Sequence, residues 1–213
     1  MNRASGSYAV MAQTPDPAAK LALFPTPPWA TRALCEWMSD FYGRLDTRNC
    51  LEPACGRGHM ARPLAEYFSA VEAADVVDFG FGRVSDFLMS GEDRRFDWVI
   101  TNPPFSLAEE FTQEALRRAR IGVAMFVRTS FLEGMGRHSR LFSQHKPKAV
   151  LQFTERVPLV KGRCDAKATT ATAYCWVVWS TGRAGWPTEF HWLAPCRKRL
   201  ERVGDYDQET VHA

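Results

Sequence analysis

The chain has 213 residues, 46% of them hydrophobic and 24% charged, with a formal net charge of +3. That is enough for one substantial domain with a real core, at a composition ordinary for a soluble globular protein. No apolar run approaches the roughly 18 residues of a membrane-spanning helix. YAVMA near the N-terminus is too short for a signal-peptide core, so a cytoplasmic protein is expected.

In chain order, residues 1–20 are rich in Ala, Ser, Pro and Gly without periodicity, and a flexible tail is expected there. FPTPPW (24–29) is a proline-fixed approach to a helix, WATRALCEWMSDFY, with Trp29, Ala33, Trp37 and Phe41 at helical spacing. NCLEPA (49–54) reads as a short strand running into CGRGH, followed by a helix over about 60–68. VEAAD (71–75) is the next strand, and RVSDFL (83–88) approaches a third. FDWVITN (96–102) is the clearest buried strand. SLAEEFTQEALRRAR (106–120) predicts an amphipathic helix with Ser106 as N-cap and acids in its first turn. IGVAMFVR (121–128) is another buried strand, RHSRLFSQH a short helix, and AVLQFTERV and TATAYCWVVWS the last two strands.

Strands alternating with helices imply an α/β fold, a mostly parallel sheet covered on both faces. No clear helix lies between the final two strands, which leaves room for antiparallel pairing. One domain is expected over 21–182, with 183–213 as a C-terminal extension. The six cysteines (Cys35, Cys50, Cys55, Cys164, Cys175 and Cys196) form no CxxC pair and no zinc spacing. Free thiols and no metal are expected.

GRGHMA (56–61) matches G-x-G-x-x-G/A between a strand and a helix, and Asp75 ends the next strand 19 residues after Gly56. That is the dinucleotide-binding pattern, small residues for the turn and an acid for ribose hydroxyls, with a plain structural turn as the alternative. Glu52 tips the balance. A carboxylate at this strand end would repel a pyrophosphate at the helix N-terminus, but it would suit a ligand with a cationic group and no phosphate. S-adenosylmethionine fits that description.

NPPF (102–105) follows the buried strand. An exocyclic amine on a nucleobase is a poor nucleophile because its lone pair is delocalised into the ring. Two acceptors at its N–H groups would localise that pair. The Asn102 side-chain oxygen can be one and the Pro103 carbonyl the other, with proline fixing the backbone. Catalysis would then be positioning and electrostatics, with Phe105 as a stacking platform for the base.

These residues carry a resemblance. EPACGRG (52–58) resembles the S-adenosylmethionine motif of class I methyltransferases, and NPPF the catalytic motif of N6-adenine DNA methyltransferases. FPTPPW resembles that group's additional N-terminal motif, and the motif order is similar to the γ arrangement. The span 24–180 resembles small phage and prophage-borne adenine methyltransferases. The resemblance implies a Rossmann-like sheet of about seven strands, the last antiparallel. It implies that Glu52, Gly56 and Gly58 line the methionine end of the cofactor and that Asp75 holds the ribose hydroxyls, with Asp78 as a competitor. Asp86 would accept from the cofactor's adenine, with Phe87 against the ring or simply in the core. Phe24 and Thr26 would close the pocket. Asn102, Pro103, Pro104 and Phe105 would act on the target base.

Restriction-associated relatives carry a long target-recognition domain, and only about 33 residues follow Ser180 here. No separate recognition domain is expected. Positive charge concentrates between Arg117 and Lys167, with 12 lysines and arginines against three acids. An anionic partner is expected, with Arg128, Lys161, Arg163 and Lys167 as nucleic-acid contacts and RKRLER (197–202) as a further basic stretch. The expected activity is N6-methylation of adenine in DNA with little sequence selectivity. RNA methylation, protein glutamine methylation, an NAD-dependent oxidoreductase and a non-catalytic nucleic-acid-binding protein remain as alternatives.

Overall fold

The computed structural model describes residues 23–182 and 187–206. The tail expected at 1–20 lies outside them. Pro27 is extended (φ −56°, ψ 133°), and Pro28 takes the first helical position, where its missing N–H costs nothing. Helix α1, Pro28–Tyr42, buries Trp29, Ala33, Leu34 and Met38. Trp37 and Phe41, expected on the same stripe, rise to its edge. Residues four apart drift around a helix of 3.6 residues per turn, and the two rings stack on each other at 4.8 Å instead.

Eight strands follow: β1 Asn49–Glu52, β2 Ala70–Asp75, β3 Arg83–Val84, β4 Phe96–Thr101, β5 Ala119–Arg128, β6 Ala149–Phe153, β7 Tyr174–Ser180 and β8 Glu189–Leu193. They form one sheet in the order β3-β2-β1-β4-β5-β7-β6-β8. All pairs are parallel except those of β7, which runs antiparallel to β5 and β6. The expected antiparallel pairing of the 149–157 and 170–180 segments is present.

Alternating residues send two cores to opposite faces of the sheet. Trp98, Ile100, Ala124, Phe126, Trp176 and Val178 pack with α1 and with Leu64 of α2, Ala61–Ala65. Val99, Val123, Met125, Val127, Cys175 and Val177 pack with Phe111 and Ala115 of α3, Ala108–Arg118. β1 and β4 are neighbours although the chain leaves them toward opposite edges. That is the switch point at which an open α/β sheet holds a ligand, beyond the strands' carboxyl ends.

Local details depart from the sequence reading. Ser106 is not an N-cap: a 3₁₀ turn, Phe105–Leu107, precedes α3, and no side chain caps it. The extended Pro104 (φ −53°, ψ 129°) delays the helix. α2 is five residues where a helix over about 60–68 was expected, and β3 has only two. Between β5 and β6 a one-turn α4, Met135–Arg137, runs into a π turn, His138–Phe142.

The stretch read as an extension builds part of the fold. β8 lies parallel to β6 at the sheet edge, and Glu189 pairs with Lys148. Helix α5, Arg197–Leu200, packs back toward α1. There Arg32, 3% exposed, donates to both Asp205 oxygens at 2.7 and 2.8 Å, to the Leu200 carbonyl at 2.7 Å and to Glu66 at 2.8 Å. All six cysteines are buried and free. No helix among the described residues is long and apolar enough to cross a membrane.

Candidate active site

The carboxyl ends of β1, β2 and β4 open into a cavity of about 280 Å³, near the lower bound of small-molecule sites. Phe24, Thr26, Glu52, Asp75, Asp86, Phe87, Asn102, Pro103, Pro104 and Phe105 all line it. Two motifs that lie 50 residues apart thus face one space, because β1 and β4 are adjacent.

Cys55 and His59 of the glycine loop line the cavity, whereas Gly56 and Gly58, expected there, do not: Leu23 covers the first and the Phe81 ring the second. Gly56 and Gly58 have φ of 49° and 83°, the left-handed region that side chains disfavour. A Cβ on Gly58 would come within 2.7 Å of the Phe81 ring, and one on Gly56 would collide with Leu23 Cδ1. Asp75 holds this loop. Its Oδ2 accepts from the Gly56 N–H at 2.8 Å and its Oδ1 from the Val77 N–H at 3.1 Å. Burial pushes the Asp75 carboxyl up, and the backbone donors at Val77 and Gly56 oppose that. Each oxygen keeps a second lone pair for a ligand hydroxyl. Asp78 turns away to bond the Gly80 N–H at 2.8 Å and does not line the cavity.

Glu52 is 2% exposed. Burial raises its carboxyl well above the usual range and the nearby Asp75 charge adds to this, while a backbone hydrogen bond from Ala61 works against it. Its Oε2 has no hydrogen-bond partner, and neither does Oγ1 of the buried Thr26. Unsatisfied buried oxygens are rare and expensive. Both residues line the cavity.

Asp86 Oδ1 accepts from the Leu88 and Met89 N–H groups at 2.9 and 3.2 Å, which fixes the turn after β3. Phe87 is buried against Phe111, ring centres 5.2 Å apart, and also lines the cavity.

At the opposite wall, Asn102 Nδ2 donates to the Phe24 carbonyl at 2.9 Å. Asn102 Oδ1 is buried without a partner. Phe105 is half-buried, with Phe24 tilted against it at 5.4 Å and 36°.

The strap carrying Phe24 is itself held from outside. The Gly162 N–H donates to the Leu23 carbonyl at 2.7 Å, and Cys164 Sγ lies 4.0 Å from the Pro25 carbonyl. The basic loop around Lys161, Arg163 and Lys167 therefore borders the cavity mouth. Lys161 and Lys167 are exposed and make no ion pair among the described residues, whereas Arg163 pairs with Asp165 at 3.1 Å. Arg128 sits at the end of β5 against Phe105. In the basic run 197–202 the arginines face carboxylates, while Lys198 is exposed and makes no ion pair among the described residues. Arg197 pairs with Glu201, Arg199 clamps Glu36 at 2.6 and 2.7 Å, and Arg202 reaches Glu66.

The sequence reading missed Leu23, which covers Gly56, and His59, a buried residue of the cavity lining. Burial first, then Arg62 and Arg57, lower the His59 pKa to about 4, so it is neutral in the working range. Only its place just after the glycines signalled it. Among the described residues no His, Cys, Asp or Glu group could hold a metal ion.

The fold is that of class I S-adenosylmethionine-dependent methyltransferases. Solved structures sharing it include a candidate RNA methyltransferase from Pyrococcus horikoshii, at 15% identity and a TM-score of 0.59 over 78% of this chain and 91% of that one. A candidate class I methyltransferase from Listeria monocytogenes matches at 10% identity and 0.58, over 80% and 65%. The methyltransferase subunit of a type I restriction-modification system from Streptococcus thermophilus matches at 12% identity and 0.63, over 87% of this chain but only 50% of that one. No family model matches the sequence, and no curated protein does.

Proposed function

We propose that the protein transfers the methyl group of S-adenosylmethionine to the N6 amine of adenine in DNA, with little sequence selectivity. The observation that carries this reading is the Asn102 amide, its nitrogen fixed on the Phe24 carbonyl and its buried oxygen left without a partner, in a residue that lines the same cavity as Glu52.

The residues present fit S-adenosylmethionine. Glu52 Oε2 suits the α-ammonium, and Thr26, whose Oγ1 is also unpartnered, lines the same cavity. Asp75 has lone pairs to spare for ribose hydroxyls, and Asp86 suits the amine of the adenine, with Phe87 near the ring. Bound there, the cofactor supplies an electrophilic methyl on a sulfonium. Asn102 Oδ1 and the Pro103 carbonyl accept from the target amine and concentrate its lone pair for attack. Phe105 stacks the base. Arg128, Lys161 and Lys167 at the rim hold backbone phosphates, which bind without reading sequence. The restriction-modification subunit among the structural neighbours supports a nucleic-acid substrate at the level of fold.

The test is methyl transfer to unmethylated plasmid DNA and to RNA of the same sequence, followed by modified-base mapping at single-nucleotide resolution. Expected is N6-methyladenine in many contexts, with at most one or two flanking bases preferred. One strict motif of several base pairs would overturn the low selectivity. Transfer to RNA alone would overturn the DNA assignment.

A further inference from the structure

Arg128 closes β5 and is exposed at the mouth of the cavity. Its guanidinium carbon lies 4.2 Å over the centre of the Phe105 ring. Among the described residues it makes no ion pair and no side-chain hydrogen bond. That sets it apart from Arg117, Arg118, Arg140 and Arg163, which all face carboxylates. A planar cation without a counter-charge thus covers the aromatic face that stacks the target base.

The other neighbour of that ring is not free to yield. Phe24 is tied through its carbonyl to Asn102, and the strap beside it is tied to Gly162. A base can reach the face that Arg128 covers only by displacing Arg128.

We propose that Arg128 is a stand-in for the target base. It covers Phe105 when no nucleic acid is bound, leaves when adenine stacks there, and then pairs with a backbone phosphate of the same strand. This rests on the methyltransferase reading above and adds to it a reason why the enzyme would act on a nucleotide within a chain. An exposed guanidinium–ring contact is weak, base stacking on an aromatic is stronger, and arginine forms forked hydrogen bonds to phosphate. The exchange is therefore favourable when base and phosphate arrive together. A nucleoside without phosphate displaces Arg128 and gives it nothing in return.

The experiment uses the full chain with its cofactor site saturated by S-adenosylhomocysteine, so that adenosine cannot enter there. Two probes are titrated, adenosine and a short adenine-containing single-stranded DNA, against the wild type, Arg128→Ala and Arg128→Lys. Arg128→Ala should bind adenosine about three- to tenfold more tightly and the oligonucleotide weaker by a similar factor, the scale of one cation–ring or stacking contact. Its salt slope for the oligonucleotide should fall by about 0.7, one phosphate contact on a single strand. Arg128→Lys should keep the slope. Loss of affinity for both probes together, or no change in either, would overturn the proposal while leaving methylation of plasmid DNA by the wild type intact. Failure of the wild type to bind the oligonucleotide at all would overturn the nucleic-acid reading itself.

Discussion

Asn102 and Phe24 lie 78 positions apart in sequence and are joined by one hydrogen bond of 2.9 Å, from the side-chain amide of the first to the main-chain carbonyl of the second. A carbonyl can only accept, so the amide must turn its nitrogen toward Phe24, which leaves its buried oxygen without a partner. The strap thereby fixes the orientation of the amide that the proposed reaction uses as an acceptor.

Asn102→Ala removes that acceptor without touching the glycine loop. Turnover should fall on the order of 10²–10³-fold, the usual cost of one preorganised contact. Cofactor affinity by calorimetry should change little. Near-wild-type turnover would show that the amide is not part of the chemistry.

Glu52 is poised by its own discomfort. Burial, then Asp75, holds its carboxyl well above the usual range in the ligand-free protein. A cationic ligand favours the ionised form, so binding of S-adenosylmethionine should release protons, and its affinity should fall as pH drops. Calorimetry in two buffers of different ionisation enthalpy measures that release. In Glu52→Gln the release should vanish and the affinity should drop by about 1–3 kcal/mol, the scale of a lost charged hydrogen bond.

His59 makes the stability of the fold fall as pH drops. Its folded pKa of about 4 lies below the ordinary histidine value of 6.5, so between these values the unfolded chain binds a proton that the folded chain refuses. Stability contributed by neutral His59 is fully present above about 6.5 and is lost as pH falls toward 4, on the order of 3 kcal/mol across the window. Glu52 and Asp75, both raised, act against it there. Urea unfolding of the wild type and His59→Gln at several pH values isolates the histidine. Parallel pH profiles would refute the assignment.

Arg32 is the counter-charge of Asp205, which is only 8% exposed. Arg32→Met should cost about 3–5 kcal/mol, because it leaves a buried carboxylate unpaired. It should also loosen residues 197–206, seen as faster proteolysis there. Adding Asp205→Leu should recover part of the loss. Recovery of nothing would mean that Arg32 acts mainly through Glu66 and the Leu200 carbonyl.

The chemistry of short segments was legible from the sequence because it is local. Prolines set the start of α1, glycines permit the loop at 56–58, and apolar runs mark β4, β5 and β7. The motifs EPACGRG and NPPF identify the strand ends that meet in one cavity. The same local logic failed at Ser106, where an extended Pro104 favours a 3₁₀ turn, and at α2, which stops at Ala65.

What the tertiary structure decided depends on what lies across from each group. A charge count cannot tell Arg199, clamped on Glu36, from Arg128, left with a ring and no acid. Nor could spacing reveal that residues 187–206 supply a strand and a buried ion pair. They carry no strong apolar run, and their stabilisation comes from β6, α1 and Arg32, all far away in sequence. The sequence by itself determined which chemical groups are available and where the backbone can turn. Only packing decided which of them are neutralised, which are buried without a partner, and which therefore remain to bind something else, because desolvation and pairing are properties of neighbours brought together by the fold.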